Sequence, residues 1–208
     1  MKSLFINISE KYKYFTWTPE RTGSTHFTKI IDKLGFQSAV IEDNKIISYG
    51  NTVRHNHFCI LFENHWDYNF LITIRNPYAM TISRVGAPTM EFNDESKKII
   101  RTRVENQFQA DWSSFGCCNC FHKRKPDFAI RLENLYEDWI KVPFVQMHGL
   151  NISGELKQLT NTRINEQINT EDPNYWKKYY DESLADLVYY NNPETFELFG
   201  YDKDSWKS

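Results

Sequence analysis

The sequence lacks any run of apolar residues that is long enough to cross a membrane. No stretch of it approaches the roughly 20 consecutive apolar residues that a membrane span needs. Residues 1–10 also lack the basic flank and the long apolar core of a signal peptide. These absences predict a cytoplasmic protein that has no membrane partner.

Cysteine is scarce and unevenly placed. Cys59 stands alone, and the other three form one cluster at Cys117, Cys118 and Cys120. That pattern excludes the disulfide framework of a small secreted protein. The cluster ends at His122, but the second ligand pair that a structural zinc site needs is missing from the sequence. Reduced loop thiols are therefore favoured over a metal site.

Neither sign of charge is in excess. Lysine and arginine together number 25, and aspartate and glutamate together number 27. Because this balance argues against a broad polyanion-binding surface, we expect no nucleic-acid partner. A local basic site for a small anion is still compatible with it.

Internal repeats, low-complexity runs and linker-like segments are also missing. The 208 residues fill one well-packed core and fall short of two comfortable domains. Aromatic residues, by contrast, make up 16% of the chain, which argues against disorder. We therefore expect a single domain over residues 1–208.

A strand, a short loop and a helix are predicted near the start of the chain. Residues 13–17 are mostly aromatic and β-prone, which is typical of a buried strand, and this strand ends at Thr18 and Pro19. The helix is indicated by four apolar residues at i, i+3, i+4 and i+7 spacing, namely Phe27, Ile30, Ile31 and Leu34.

A second strand–loop–helix unit begins at Tyr68. Residues 70–74 form a nearly unbroken apolar run, which is typical of a strand buried on both faces. Asn76 offers an N-cap and Pro77 a first helical residue, so we expect a helix that continues to about Val85. The remaining patterns predict a strand over 127–132 and helical segments over 94–110, 134–141, 175–190 and 194–200.

Strands that alternate with helices predict an α/β fold. Its sheet is expected to be central and mostly parallel, with helices on both faces, which makes a three-layer α/β/α arrangement. In such sheets, ligands bind beyond the carboxyl ends of the strands. Both of the loops that follow the two predicted strands would lie at that edge.

Residues 19–25, between the first strand and its helix, have the composition of an anion-binding loop. A helix N-terminus presents free backbone N–H groups and a partial positive charge, which together suit a phosphate. Gly23 lets the backbone approach an anion closely. Ser24 and Thr25 add hydroxyl donors, and Arg21 adds a guanidinium. An ordinary helix cap is the structural alternative, because serine and threonine favour such positions.

This loop is not a Walker A loop. That motif needs a glycine five residues ahead of a Gly-Lys-Ser/Thr, and neither half is present here. We also identify no acidic magnesium ligand at the end of a predicted strand. Both observations disfavour an ATP-dependent enzyme.

Residues 19–25 resemble the 5′-phosphosulfate loop of sulfotransferases that use 3′-phosphoadenosine 5′-phosphosulfate (PAPS). The loop of that family is commonly written Pro-Lys-Ser/Thr-Gly-Thr/Ser-Thr. Here Arg21 takes the place of the lysine, and Glu20 intervenes after the proline. The resemblance implies a role for Arg21 in stabilising charge on the leaving oxygen, although arginine delivers a proton less easily than lysine. It implies that the 5′-phosphosulfate is held by Arg21, Thr22, Gly23, Ser24 and Thr25.

The segment 70–77, together with Ser83, resembles the other signature of this family. There an arginine that ends a strand and a serine in the next helix bind the 3′-phosphate of the nucleotide. The resemblance implies this role for Arg75 and Ser83; the structural alternative is that Arg75 is a surface charge before a plain helix start. Three further segments resemble other parts of these enzymes, namely 127–139, 179–184 and 196–201.

The resemblance implies both a fold and a reaction. The fold is the P-loop NTPase-like topology of sulfotransferases. The reaction moves a sulfuryl group from PAPS to a hydroxyl or an amine of a small-molecule or carbohydrate acceptor and releases the nucleotide product PAP, without a metal. A different nucleotide enzyme such as a small-molecule kinase is the first alternative, and a catalytically inactive nucleotide-binding relative is the second.

A base that takes the proton of the acceptor is expected between the two motifs. His55, His57 and Cys59 alternate along a predicted strand and therefore share one face. The His-X-His pattern resembles the place of the catalytic histidines in polysaccharide 2-O-type sulfotransferases, which implies His57 as the base, with His55 second. Three alternatives stay open: a structural histidine, a metal site completed by Cys59 or His65, and a glutamate base at Glu42 or Glu63.

Overall fold

A computed structural model describes most of the chain. The described residues are 5–18, 27, 30–31, 34–42, 45–49, 65–86, 90–109, 125–147, 172 and 174–207. The chain divides into two compact units, the first from residues 1–74 and 117–164 and the second from residues 75–116 and 165–208. Nothing in this division decides the number of domains, so the single domain stays a prediction.

The described strands are β1 (Phe5–Ser9), β2 (Tyr14–Thr18), β3 (Gln37–Glu42), β4 (Lys45–Tyr49), β5 (Asn69–Ile74) and β6 (Phe128–Arg131). The described helices are α1 (Pro77–Arg84), α2 (Asp94–Gln109), α3 (Leu135–Trp139), α4 (Pro143–Met147), α5 (Glu182–Tyr190) and α6 (Pro193–Phe199). Two 3-10 turns cover Leu132–Asn134 and Lys177–Tyr179. None of these described helices is both long and apolar enough to cross a membrane.

A mixed six-stranded sheet with the order β4-β3-β1-β2-β5-β6 forms the centre of the first unit. β5 runs parallel to both of its neighbours, β2 and β6. β1 pairs antiparallel with β2 and with β3, and β3 pairs antiparallel with β4. The strands β1, β2, β5 and β6 thus form a mostly parallel open sheet, and the predicted α/β class is confirmed. The three-layer arrangement and the P-loop-like topology stay predictions.

Apolar side chains cover both faces of the central strands. All of β2 is buried, and so is β5 after its first residue. On one face the rings of Phe15 and Phe70 stack with their centroids 4.8 Å apart. On the other face Tyr14 and Leu71 join a cluster of apolar side chains that includes Phe27, Ile30, Ile31, Trp139 and Phe144. Residues 27, 30 and 31 are helical, so the apolar helix face predicted there is confirmed at these positions.

The second unit is a group of helices around an aromatic core. Members of that core come from α1, α2, α5, α6 and the 3-10 turn: Tyr78, Ile82, Ile100, Val104, Tyr179, Val188 and Phe196. The helix predicted over residues 94–110 is confirmed by α2, and the apolar face predicted for it is buried at Ile100 and Val104.

The predicted helix over residues 175–190 is wrong in its first third. Lys177–Tyr179 forms a 3-10 turn, and Tyr180 is extended. The helix α5 begins only after Asp181, whose carboxylate accepts a hydrogen bond from the backbone N–H of Leu184 at 2.9 Å. An N-cap of this kind fixes the start of a helix, because it satisfies a donor that has no partner within the helix.

The predicted helix over residues 134–141 is confirmed, but it is shorter than predicted. α3 covers its middle and ends at Trp139, and Pro143 begins α4. Proline suits a first helical position, because its ring presets the helical φ angle and its missing N–H would have no partner there.

Candidate functional site

The structure describes one of the two predicted phosphate-binding motifs. Arg75 and Ser83 are described, and both belong to the second unit. The predicted site residues that lie outside the described residues are Arg21, Thr22, Gly23, Ser24, Thr25, His55 and His57. The same holds for the alternative ligands and base at Cys59, Glu63, Cys117, Cys118, Cys120 and His122.

Arg75 follows a central strand directly and precedes a capped helix. β5 ends at Ile74, and α1 starts at Pro77. The side-chain oxygen of Asn76 accepts a hydrogen bond from the backbone N–H of Tyr78 at 3.0 Å, so the predicted N-cap is confirmed. Arg75 itself is half-buried. Arg75 therefore lies directly before a capped helix.

Ser83 lies in the last turn of α1 and is only 5% exposed. The helix is buried at every position from Pro77 to Ser83, so it behaves as an internal rather than a surface helix. At its C-terminal end Arg103 donates a hydrogen bond to the carbonyl oxygen of Val85 at 2.8 Å. A cation suits this place, because the helix dipole leaves a partial negative charge there. The hydroxyl of Ser83 is thus carried by a rigid element.

The C-terminal residues of the chain hold the start of α1. The side-chain N–H of Asn76 donates to the Ser205 hydroxyl at 3.0 Å, and the hydroxyl of Tyr78 donates to the carbonyl oxygen of Lys203 at 2.6 Å. A third bond runs from the hydroxyl of Tyr180 to the carbonyl oxygen of Tyr78 at 2.9 Å. The sequence does not predict this arrangement, because nothing in the pattern of residues 201–207 points to residue 76.

The two tyrosines of this arrangement stay neutral donors. Burial, followed by the nearby carboxylates of Asp204, Asp186 and Asp202, raises the pKa of Tyr78 well above its ordinary value. Burial raises the pKa of Tyr180 as well. Neither hydroxyl therefore ionises near neutral pH, which excludes both as general bases.

At the carboxyl end of β6, Arg131 is engaged by a buried carboxylate. Its Nε donates to one oxygen of Asp138 and its Nη2 to the other, both at 2.8 Å, and its backbone N–H donates to the same carboxylate at 3.0 Å. Burial raises the pKa of Asp138, but the hydrogen bonds from Arg131 outweigh it and hold the pKa below its ordinary value. We therefore assign this pair a structural role.

His65 lies in a polar cluster at the amino end of β2 and β5. Its Nε2 is 3.8 Å from a carboxylate oxygen of Glu10, and its ring packs edge-on against Tyr68. The Tyr68 hydroxyl donates to Glu10 and accepts from the Lys13 ammonium at 2.9 Å. Within the described part of the chain, no three His, Cys, Asp or Glu side chains are grouped to hold a metal ion. The cluster ties the β1–β2 turn to the start of β5.

The two strands that carry the predicted motifs are direct neighbours in the sheet. β2 and β5 pair in parallel register, with Trp17 opposite Ile72. The chain therefore leaves both strands at the same edge, toward residues 19–25 in one case and Arg75 in the other. This is the edge at which open α/β sheets bind their ligands.

Comparison with known proteins leaves the sequence and the structure as the only grounds for a function. No family model, no curated protein and no solved structure matches the chain.

Proposed function

We propose that the protein is a PAPS-dependent sulfotransferase. The observation that carries the proposal is the parallel pairing of β2 with β5, each of which is followed directly by one of the two phosphate-binding motifs. A mononucleotide that carries phosphates at both the 3′ and the 5′ position of one ribose needs two such motifs side by side. The topology supports this, since the carboxyl ends of adjacent parallel strands lie at one edge.

The 3′-phosphate is assigned to Arg75 and Ser83. A doubly charged phosphomonoester is best held by a guanidinium and a hydroxyl on rigid elements, because little rotamer entropy is then lost on binding. Arg75 stands between β5 and the capped helix α1, and Ser83 lies inside that same helix. Within the second unit, the capped helix α1 directly follows Arg75 and contains Ser83, which supports this assignment.

The 5′-phosphosulfate is assigned to Arg21, Thr22, Gly23, Ser24 and Thr25, which follow β2. In the proposed reaction the acceptor oxygen or nitrogen attacks sulfur. The new bond to sulfur forms while the bond from sulfur to the bridging phosphate oxygen breaks, and PAP leaves. The proton of the acceptor passes to His57, with His55 as the second candidate. Arg21 would stabilise the charge that develops on the leaving oxygen.

The finer features of the fold belong to the same proposal. We infer a three-layer α/β/α arrangement with P-loop-like topology, in which β2 carries the first loop and β5 the second. We also infer a cytoplasmic enzyme that needs no metal and acts on a small-molecule or carbohydrate acceptor.

Transfer of label from PAPS tests this function. The purified chain is incubated with sulfur-labelled PAPS and a panel of phenols, amines, monosaccharides and oligosaccharides, in the presence of a metal chelator. We expect label on at least one acceptor and an equal amount of PAP. Magnesium-dependent turnover of ATP in a parallel assay without the chelator would instead favour a kinase. Tight binding of PAP without transfer to any acceptor would identify an inactive relative.

A further inference from the structure

The residues assigned to the 3′-phosphate bring too little positive charge for that group. A phosphomonoester carries about two negative charges near neutral pH. Arg75 contributes one positive charge, and Ser83 contributes none. Ser83 also lies in the last turn of α1, where the helix dipole adds a partial negative charge. A second cation is therefore expected at this end of the helix, and the structure describes two arginines there, Arg84 and Arg103.

Arg103 packs against the turn that follows Ser83. Its Nη1 donates a hydrogen bond to the carbonyl oxygen of Val85 at 2.8 Å. The next residue, Gly86, donates its backbone N–H to the carbonyl oxygen of Ser83 at 3.4 Å, and a Cβ at Gly86 would lie 3.6 Å from Nη1 of Arg103. The φ of Gly86 is 81°, a backbone conformation that favours glycine. The guanidinium on α2 is thus brought to the end of α1 that carries Ser83.

The guanidinium of Arg103 keeps most of its hydrogen-bond donors available. Arg103 is exposed, and the carbonyl oxygen of Val85 takes only one of its several N–H groups. Within the part of the chain that the structure describes, no carboxylate forms an ion pair with it. Arg101 on the same helix differs, because its guanidinium donates to the carboxylates of Asp181 and Glu105 at 2.7 and 3.1 Å. Arg103 therefore offers both charge and donors to an anion.

Arg84 is less suited to this role, although it follows Ser83 directly. It is only half-buried as a residue, but its Nε is closed to solvent. A charged ligand does not reach an enclosed donor without an opening of the surrounding structure. Arg103 is accessible as it stands, so we assign the second positive charge to it.

We propose that Arg103 is a further binding residue for the 3′-phosphate, which it contacts together with Arg75 and Ser83. This inference rests on the proposed function and adds a residue that lies outside both sequence motifs. Two guanidinium groups match the charge of a phosphomonoester, and each presents a planar fork of N–H donors to its oxygens. The hydrogen bond to Val85 already restricts the Arg103 side chain, which reduces the conformational entropy that is lost on binding.

Replacement by glutamine separates phosphate binding from support of the helix. Arg103→Gln removes the charge and keeps a side-chain N–H that can donate to the carbonyl oxygen of Val85. We expect its Kd for PAP to rise about tenfold or more, and its Kd for ADP, which lacks a 3′-phosphate, to stay nearly unchanged. Arg103→Lys keeps the positive charge and should retain most of the affinity for PAP. A residue that only supported α1 would affect both nucleotides alike.

Arg101→Gln is the matched control. It removes the same charge from the same helix, but from a guanidinium that is already paired with the carboxylates of Asp181 and Glu105. We expect a lower melting temperature and an unchanged ratio of the two Kd values.

Calorimetric titration of the wild type and these three variants with PAP and with ADP decides the question. A higher Kd for PAP alone, in Arg103→Gln and not in Arg101→Gln, supports the inference. Wild-type affinity for PAP in Arg103→Gln, or an equal loss for PAP and ADP, overturns it and leaves the proposed function standing. A wild type that does not prefer PAP to ADP contradicts the proposed function, and the inference fails with it.

A measurement on the wild type covers the case in which Arg103→Gln does not fold. The NMR signal of the Arg103 Nε–H group, assigned by its loss in Arg103→Lys, should shift when PAP is added and stay in place when ADP is added. A signal that stays in place with both nucleotides, while PAP binds, overturns the inference.

Discussion

Arg75 is the described residue to which we assign the 3′-phosphate of the proposed cosubstrate. It follows the central strand β5 and precedes a helix that is capped by Asn76. A fixed guanidinium recognises a phosphate without a large loss of conformational entropy.

Substituting Arg75 tests this role. Arg75→Ala is expected to weaken PAP binding at least about tenfold and to leave ADP binding nearly unchanged, because ADP has no 3′-phosphate. Calorimetry of both nucleotides measures the difference. Lys98→Ala is the control, since it removes an exposed positive charge from α2. An equal loss of PAP affinity in both variants would mean that PAP binding depends only on the overall positive charge and not on Arg75 in particular.

His57 lies outside the described residues, and its role rests on the sequence alone. His57→Ala is expected to lower the rate of sulfuryl transfer at least about a hundredfold, the usual contribution of a general base. Affinity for PAP should not change, because the base contacts the acceptor. His55→Ala, measured in parallel, shows whether the neighbouring histidine carries the role instead. Full transfer activity in both variants would move the base to a glutamate.

At the scale of single elements, α1 depends on one side chain at its start. Asn76 caps the helix through Tyr78 and is bonded to Ser205 near the end of the chain. Asn76→Ala should lower the free energy of unfolding by about 1 kcal/mol or more, the usual cost of losing an N-cap. Amide exchange at the start of α1 should accelerate. Ser205→Ala, which spares the cap, should have a smaller effect.

The helix α3 is joined to β6 by a buried carboxylate. Asp138→Asn should lower the free energy of unfolding at pH 7 by at least about 2 kcal/mol, because it leaves Arg131 without its charged partner. Glu137→Gln, an exposed neighbour on the same helix, should have almost no effect. Urea titrations of the three proteins measure the differences.

The effect of Asp138 also depends on pH. The pKa of this carboxyl is lower in the folded protein than in the unfolded chain, so its contribution is fully present above the unfolded value of about 3.9. That contribution is lost as the pH falls through the folded pKa. The gap between the wild type and Asp138→Asn should therefore narrow below about pH 4. A gap that is the same at pH 3 and pH 7 would contradict the assignment.

Strands and helices were predicted best from the sequence where burial alone determines the residue pattern. The nearly unbroken apolar run at residues 70–74 predicted β5, because a strand buried on both faces is apolar at most of its positions. The break at Tyr180 was not predictable in the same way. Residues 175–190 keep a helical pattern throughout, and the interruption follows from the cap at Asp181, which competes with continuation of the helix.

At the scale of the whole molecule, the parallel part of the sheet was predictable and its antiparallel part was not. Alternation of strands and helices indicated the parallel pairing of β2, β5 and β6. β1 and the β3–β4 hairpin gave no comparable signal. Residues 10–13 between β1 and β2 contain no glycine, and neither do Asp43 and Asn44 between β3 and β4, so both connections lack the usual sequence signal of a hairpin.

The candidate site could be predicted only as two separate motifs. Arg75 and Ser83 were predicted from the resemblance to a sulfotransferase signature, and the N-cap at Asn76 was predicted from its residue type. The bond from Asn76 to Ser205 is a property of packing, and the residue pattern does not predict it.

Our central proposal is that the protein recognises the 3′-phosphate of its nucleotide. Calorimetric titration with PAP, beside ADP and ATP without and with magnesium, tests it most directly. The account predicts metal-independent binding of PAP in the micromolar range and much weaker binding of ADP. Equal affinity for PAP and ADP, or binding of ATP that requires magnesium, would contradict it.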